Sequence, residues 1–189
     1  MRSKIPALTC LALAAPVLVL SGARAHAEKF TTSFSGFEEV GALNAETGAI
    51  LSGGKAKLEL DLNRAARTIT FELSYAGLSA PITQAHIHFG KRHVPGGVMV
   101  FFCTNLNNGP AGTQTCPVPA GTATVTVTGT IAGGDVRAIP GQNVPAGDFD
   151  ALTAALDSDT AYGNIHTSSF PAGEIRGQIH RGDDDDDHR

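Results

Sequence analysis

Apolar and polar residues alternate with a period of two along most of this chain, the period of a β-strand. Ala56, Leu58, Leu60 and Leu62 alternate with Lys55, Lys57, Glu59 and Asp61. Ile69, Phe71, Leu73 and Tyr75 alternate with Thr68, Thr70, Glu72 and Ser74, and Ala123, Val125 and Val127 with Thr122, Thr124, Thr126 and Thr128. Each stretch predicts a strand with one face in a core and the other in water. Asn63–Arg67 reads as the hairpin connection between the first two. Less regular strand candidates run over 30–36, 48–52, 82–90, 98–103, 161–167 and 174–180. Gly and Pro mark the gaps, as in Gly53-Gly54, Pro95-Gly96-Gly97, Pro140-Gly141 and Pro171-Ala172-Gly173. Many short strands with regular turn signals predict an all-β fold, an antiparallel, Greek-key-like sandwich or barrel. One segment departs from the pattern. Phe149, Leu152, Ala155 and Leu156 have helical spacing and Asp148 suits an N-cap, so one short helix is expected in a late loop.

The two ends differ from this middle. Residues 1–27 have the layout of a secretory signal peptide: Arg2 and Lys4, an apolar run from Leu11 to Leu20, then the small-x-small sites Ala23-Arg24-Ala25 and Ala25-His26-Ala27. The run is too short to span a bilayer, and Cys10 precedes it, so that cysteine is expected to leave with the signal. Cleavage after Ala25 makes His26 the mature N-terminus, a chelating position; the favoured cleavage after Ala27 removes it. Residues 28–181 then form one domain within a mature chain of about 160 residues, enough for a core without staples. The run Asp183–Asp187 makes 182–189 a disordered acidic tail.

Export places Cys103 and Cys116 in an oxidising compartment, where a disulfide is expected. In the entropic account such a closed loop contributes roughly 3 kcal/mol. The formal net charge is −4 and much of the acidity lies in the tail. No basic stripe is present, which excludes nucleic acid as a partner. The chain has no Trp and two Tyr, which argues against a sugar site built on stacked rings. No serine elbow and no nucleophile–base pair is evident.

The histidines carry the candidate chemistry. In a strand, His86 and His88 stand on one face, with Ile87 and Phe89 on the other. His166 lies in a second strand-like segment, Asn164-Ile165-His166-Thr167. Three imidazoles from two strands suit a transition metal, copper or zinc, with both cysteines consumed elsewhere. The alternative is that His86 and His88 only make hydrogen bonds, organising Glu174 or Asn164 without metal. Glu174, Arg176 and Gln178 alternate in the closing segment; a salt bridge or hydrogen bonds there would pin the last strand to 164–167.

Three segments carry a resemblance. Phe30 to Glu39 has the form Phe-x-x-x-Phe-x-Gly-x-Glu-Glu. Ala85-His86-Ile87-His88-Phe89-Gly90 stands in the centre. Tyr162-Gly163-Asn164-Ile165-His166-Thr167 and Pro171-Ala172-Gly173-Glu174-Ile175-Arg176-Gly177-Gln178-Ile179 close the chain. In this order, over roughly 30–180, they resemble the CHRD domain, repeated in the animal protein chordin and found singly in exported bacterial proteins. The resemblance implies the fold and an extracellular location; chordin's antagonism of growth factors is not carried over to a single domain. A weaker likeness is to copper-zinc superoxide dismutase. It implies copper on His86, His88 and His166, with Arg176 near an open position attracting an anion. His93, beside Lys91 and Arg92, is the one candidate for a bridging histidine, a setting that disfavours a second cation.

Three functional readings follow. The preferred one is an exported, non-enzymatic binding module whose His cluster takes a metal ion or an extracellular protein partner. The second is a copper-dependent oxidoreductase of dismutase type. The third is a structural or adhesive envelope protein whose histidines only brace the fold.

Overall fold

Alternation becomes pairing in the computed structural model of the chain, which describes residues 27–40 and 48–182. The signal segment expected over 1–27 and the tail expected over 182–189 lie outside the described residues, apart from Ala27 and Gly182. The strands are β1 (Glu28–Phe34), β2 (Lys55–Asn63), β3 (Thr68–Ala76), β4 (Ile82–Phe89), β5 (Gly97–Thr104), β6 (Val125–Ile131), β7 (Ala161–Thr167), β8 (Ile175–Gln178) and β9 (His180–Arg181). Among the described residues one α-helix, α1 (Phe149–Asp157), precedes β7. The strands form two antiparallel sheets, β6-β3-β2-β1-β9 and β5-β4-β7-β8. β3 pairs with β6 and β4 with β7, so long connections return the chain beside an earlier strand, as in a Greek key.

The core lies between the sheets. The first contributes Phe30, Phe34, Leu58, Leu60, Leu62, Ile69 and Leu73, and the second Ala85, Ile87, Phe102, Ile165 and Ile175, all buried. The outer face of the first sheet is exposed along β2, where Lys55, Lys57 and Glu59 stand in solvent. The β2–β3 connection is a tight hairpin: the Asn63 side chain accepts from the Ala66 N–H at 3.0 Å, and Arg67 takes a left-handed φ of 53°. In α1, Asp148 caps the first turn by accepting from the Ala151 N–H at 2.9 Å, and Phe149, Leu152, Ala155 and Leu156 face the core. Cys103 and Cys116 form the expected disulfide, with Cα atoms 5.0 Å apart. No helix among the described residues is long and apolar enough to cross a membrane.

Three local expectations change. Residues 48–52 do not form a strand; one buried side chain, Ile50, docks while its N–H donates to the Gly36 carbonyl at 2.7 Å. A single apolar anchor between glycines gives no alternating face to pair. The repeat at 122–128 starts its strand at Val125 and runs on to Ile131, leaving Thr122 to Thr124 in the preceding turn. The closing segment is divided. β8 belongs to the second sheet and β9 to the first, and Ile179 spans the gap by donating to the Ala161 carbonyl at 3.0 Å.

The sheets meet most closely where β1 passes β8. Ser35 and Arg176 exchange backbone hydrogen bonds of 3.0 and 3.1 Å, joining the two sheets at one corner. Glycine permits this approach. A Cβ on Gly177 would lie 2.5 Å from the Ser33 carbonyl, and one on Gly163 would overlap the buried Phe34 ring. Gly163→Ala is therefore expected to destabilise the fold by about 1–3 kcal/mol, the usual cost of overpacking a filled core. A urea midpoint equal to the parent's would contradict this packing.

Candidate metal centre

The second sheet buries both of its faces. Every residue of β7 and of β8 is buried. Ala85 and Ile87 of β4 and Ile165 of β7 turn to the core, which sends His86, His88, Tyr162, Asn164 and His166 to the outer face. Register sets their neighbours: Gln84 lies opposite His166, His86 opposite Asn164, and His88 opposite Tyr162. Across the next ladder, Asn164 lies opposite Arg176 and Tyr162 opposite Gln178. This polar row is covered by residues of the 36–39, 90–97 and 170–174 segments, which contact it directly.

His86, His88 and His166 come together. One ring nitrogen from each lies within 4.8 Å of the other two, and the His86 Nδ1 to His166 Nε2 distance is 3.2 Å. Two of the rings are oriented from behind. His88 Nδ1 lies 3.0 Å from the Gly96 carbonyl, and His166 Nδ1 lies 2.9 Å from the Pro171 carbonyl. A carbonyl only accepts, so both Nδ1 atoms carry the proton and both Nε2 atoms carry a lone pair. His86 then donates from Nδ1 to His166 Nε2. Nε2 of His86 and Nε2 of His88 are buried with no hydrogen-bond partner. Phe101 meets the His86 ring edge-on at 4.2 Å, and Tyr162 stacks on His88 at 4.7 Å with planes 6° apart.

Burial keeps these rings neutral. Desolvation, with the neighbouring histidines adding to it, pushes His86 down from the usual 6.5 to about 2. Desolvation likewise pushes His88 to about 4, against the opposing hydrogen bond to Gly96. His166 is lowered by burial, against the Pro171 carbonyl. Neutral imidazole is the form that binds a metal.

The other candidate residues divide. Asn164 sits between Tyr162 and His166 and donates from Nδ2 to the Glu39 carboxylate at 2.5 Å. Arg176 is 1% exposed. Its Nη2 donates to the carbonyls of Lys91 and Val94 at 3.0 and 3.1 Å, and its guanidinium lies 3.4 Å from the Tyr162 ring centre. Glu174 does not join them. Although buried, its carboxylate turns away to accept from the Ser52 hydroxyl (2.6 Å), the Ser79 N–H (2.8 Å), the Ser79 hydroxyl (2.9 Å) and the Thr167 hydroxyl (2.7 Å). Among the described residues no ion pair links Glu174 to Arg176. His93 is exposed and pairs with Glu38 at 3.2 Å, away from the cluster.

Glu39 is the polar residue that sequence reasoning left without a role. It is 4% exposed, accepts from Asn164 and from the Val40 N–H at 3.0 Å, and burial pushes its carboxyl upward in pKa. Its only sequence signal is its position at the close of the Phe30–Glu39 motif. The carbonyls behind His88 and His166 leave no sequence signal at all, because backbone acceptors are common to every residue.

These segments fall within one continuous match: the family model of the CHRD domain covers residues 30–179. The chain belongs to the CHRD domain family. No curated protein and no solved structure matches it. The likeness to superoxide dismutase thus rests on its residue pattern alone. Both strands of the histidine cluster, the two carbonyls behind the rings and Arg176 lie inside the CHRD domain.

Two outcomes follow. Below pH 6.5 the unfolded chain binds protons on these histidines that the folded CHRD domain refuses. Folding stability is therefore complete above 6.5 and lost as pH falls, through about 4 for His88 and lower for His86. Each refused proton weakens folding by about 1.4 kcal/mol per pH unit. Urea midpoints at pH 7, 5.5 and 4.5 check this: His88→Gln should fall less steeply than the parent, and equal slopes would contradict it. Separately, Glu174→Gln sets an N–H against a shell of donors and should cost about 1–3 kcal/mol by the same denaturation; an unchanged midpoint would contradict the four-bond clasp.

Proposed function

We propose that this CHRD domain is an exported binding module that holds one divalent transition metal ion, copper or zinc, on His86, His88 and His166. The observation that carries the reading is the convergence of three neutral imidazoles, two of them backed by carbonyls that turn the Nε2 lone pair inward. An outer hydrogen bond to a carbonyl is the usual support of a metal-binding histidine, since it fixes tautomer and ring orientation together. Two buried Nε2 lone pairs without partners add to it, because an unsatisfied buried polar atom costs folding energy that a ligand removes.

The dimensions fit. Tetrahedral bonds of about 2.0 Å separate ligand nitrogens by about 3.3 Å. The closest pair, His86 Nδ1 and His166 Nε2, stands at 3.2 Å, and the cluster spans no more than 4.8 Å; an ion takes the place of the shared proton, His86 passing to its Nε2–H tautomer. Closing the widest separation takes about 1.5 Å, within reach of small ring rotations. Imidazole donors suit copper and zinc, and the disulfide leaves no thiolate to compete. Three histidines leave a fourth position for water or a partner's donor. When bound, such an ion supplies positive charge and Lewis acidity. The chain's own residues hold the rings neutral, fix two tautomers and keep bulk water off the cluster. The disulfide and the signal-like start support an oxidising, extracytoplasmic setting.

The test is direct. Protein made without a His tag is stripped, loaded separately with Cu²⁺ and Zn²⁺, desalted and analysed for metal. One ion per chain is expected, with retention lost in His166→Gln and His88→Gln variants that keep the parent's circular dichroism. Copper should also quench the tyrosine emission, because the chain has no Trp and Tyr162 stacks on His88. Folded protein that retains neither ion, and melts at the same temperature with and without them, would sink the metal reading and leave the histidines as a brace.

A further inference from the structure

Arg176 is an expensive side chain to bury. A guanidinium out of water must recover its lost hydration from fixed partners, and one of its nitrogens, Nη1, has none. Glu39 lies close enough to interact with it through charge, but no hydrogen bond joins them. Its partners are instead the carbonyls of Lys91 and Val94 and the face of Tyr162. A methionine would fill much of the same space at lower cost, so what distinguishes arginine here is its grip on the 91–96 segment.

That segment is a strap behind His88, against the Nδ1 side of the ring. Both ends are anchored: Gly90 N–H donates to the Thr160 carbonyl at 2.8 Å, and Gly97 N–H to the Gln142 side chain at 2.8 Å. Between them Lys91, Arg92, His93, Val94 and Pro95 are exposed. Gly96 turns inward, its N–H donating to the Tyr162 hydroxyl at 3.0 Å and its carbonyl accepting from His88. Glycines 90, 96 and 97 stand at its two ends, where the chain changes direction. Few apolar contacts hold it, the composition of a segment that opens below the global unfolding energy.

Strap, arginine and ligand ring form one stack. β7 lies between β4 and β8 in the sheet, so the Tyr162 ring has His88 on one side and Arg176 on the other. Arg176 presses the ring and holds Lys91 and Val94; the ring's hydroxyl holds Gly96; Gly96 orients His88. The floor of the cluster is the sheet itself, so an incoming ion arrives from the covered side. The 168–173 turn beside His166 is tied through Thr167 to the Glu174 clasp.

We propose that Arg176 is a positioning residue that latches the 91–96 strap shut against the back of His88, and that opening of this strap, which frees the ring to turn, is the step by which the site exchanges its ion. The second half rests on the metal reading above; the first does not. The latch sets the rate of exchange, because it fixes the orientation of a ligand ring without being a ligand.

Two measurements separate these halves. In the metal-free protein, amide hydrogen exchange is followed across 91–97 in the parent and in Arg176→Met. The strap amides, Gly96 above all, should exchange at least tenfold faster in the variant while β2 and β3 keep their protection. In zinc-loaded protein, release of Zn²⁺ to an excess of chelator should be at least tenfold faster in the variant, with the equilibrium Kd within about threefold. Tyr162→Phe, which removes only the hydroxyl that holds Gly96, should accelerate both in the same direction and decides the matter if Arg176→Met does not fold. Unchanged strap exchange in the folded variants would overturn the latch. Faster strap exchange with unchanged zinc release would overturn the gating role. A parent that holds neither zinc nor copper overturns the gating half along with the metal reading, and the amide data still decide the latch; with a parent that holds copper alone, the release assay is run with Cu²⁺ and read in the same way.

Discussion

A ring nitrogen removed from water needs a partner, and this fold removes three imidazoles from water within a few ångströms of one another. The rest of the second sheet is arranged around that demand. Two of the rings satisfy Nδ1 with backbone carbonyls from covering segments, which directs their remaining lone pairs inward. The third donates across the gap at 3.2 Å and leaves its own Nε2 unmatched. With all three N–H donors spent, two of them on carbonyls, two acceptor nitrogens are left over, and a cation is the simplest species that relieves the excess.

The remainder of the molecule serves this arrangement by holding the covers in place. The first sheet is an ordinary half-wet sheet whose apolar face fills the core. The second has no wet face, because loops lie across it. Glu174 gathers the segments around Ser52, Ser79 and Thr167 through four hydrogen bonds, and so fixes the turn that carries Pro171. The Ser35–Arg176 backbone bridge and the glycines at 163 and 177 bring β1 against β8, which places the Arg176 side chain beside Tyr162. Packing in the core and chemistry on the outer face therefore depend on the same short strand.

How much of this was legible in the sequence depended on whether the signal was local. The period-two runs of β2 and β3, the Asp148-capped helix and the Cys103–Cys116 pair were readable, since each is a local pattern or a compositional rule. The pairing of His86 with His88 on one face followed from strand geometry. Residues 48–52 and the division of the closing strand were not readable, because both depend on which sheet the chain meets in space. The roles of Glu174 and Arg176 also escaped a strand-face reading. Spacing predicted that they would share a face; the chain turns between 173 and 175, and the two side chains find separate partners. Burial of the second sheet's polar face was invisible because it is imposed by loops from three parts of the chain.

The central claim is that the lone pairs of His88 and His166 are on Nε2 and converge with a nitrogen of His86. Nitrogen-15 NMR of the imidazole side chains at neutral pH reads this directly. The account predicts the Nδ1–H tautomer for His88 and His166 in the metal-free protein, and a metal-bound shift at both Nε2 atoms and at one nitrogen of His86 when one equivalent of Zn²⁺ is added. Nε2–H tautomers at 88 and 166, or spectra unmoved by stoichiometric zinc, would contradict it.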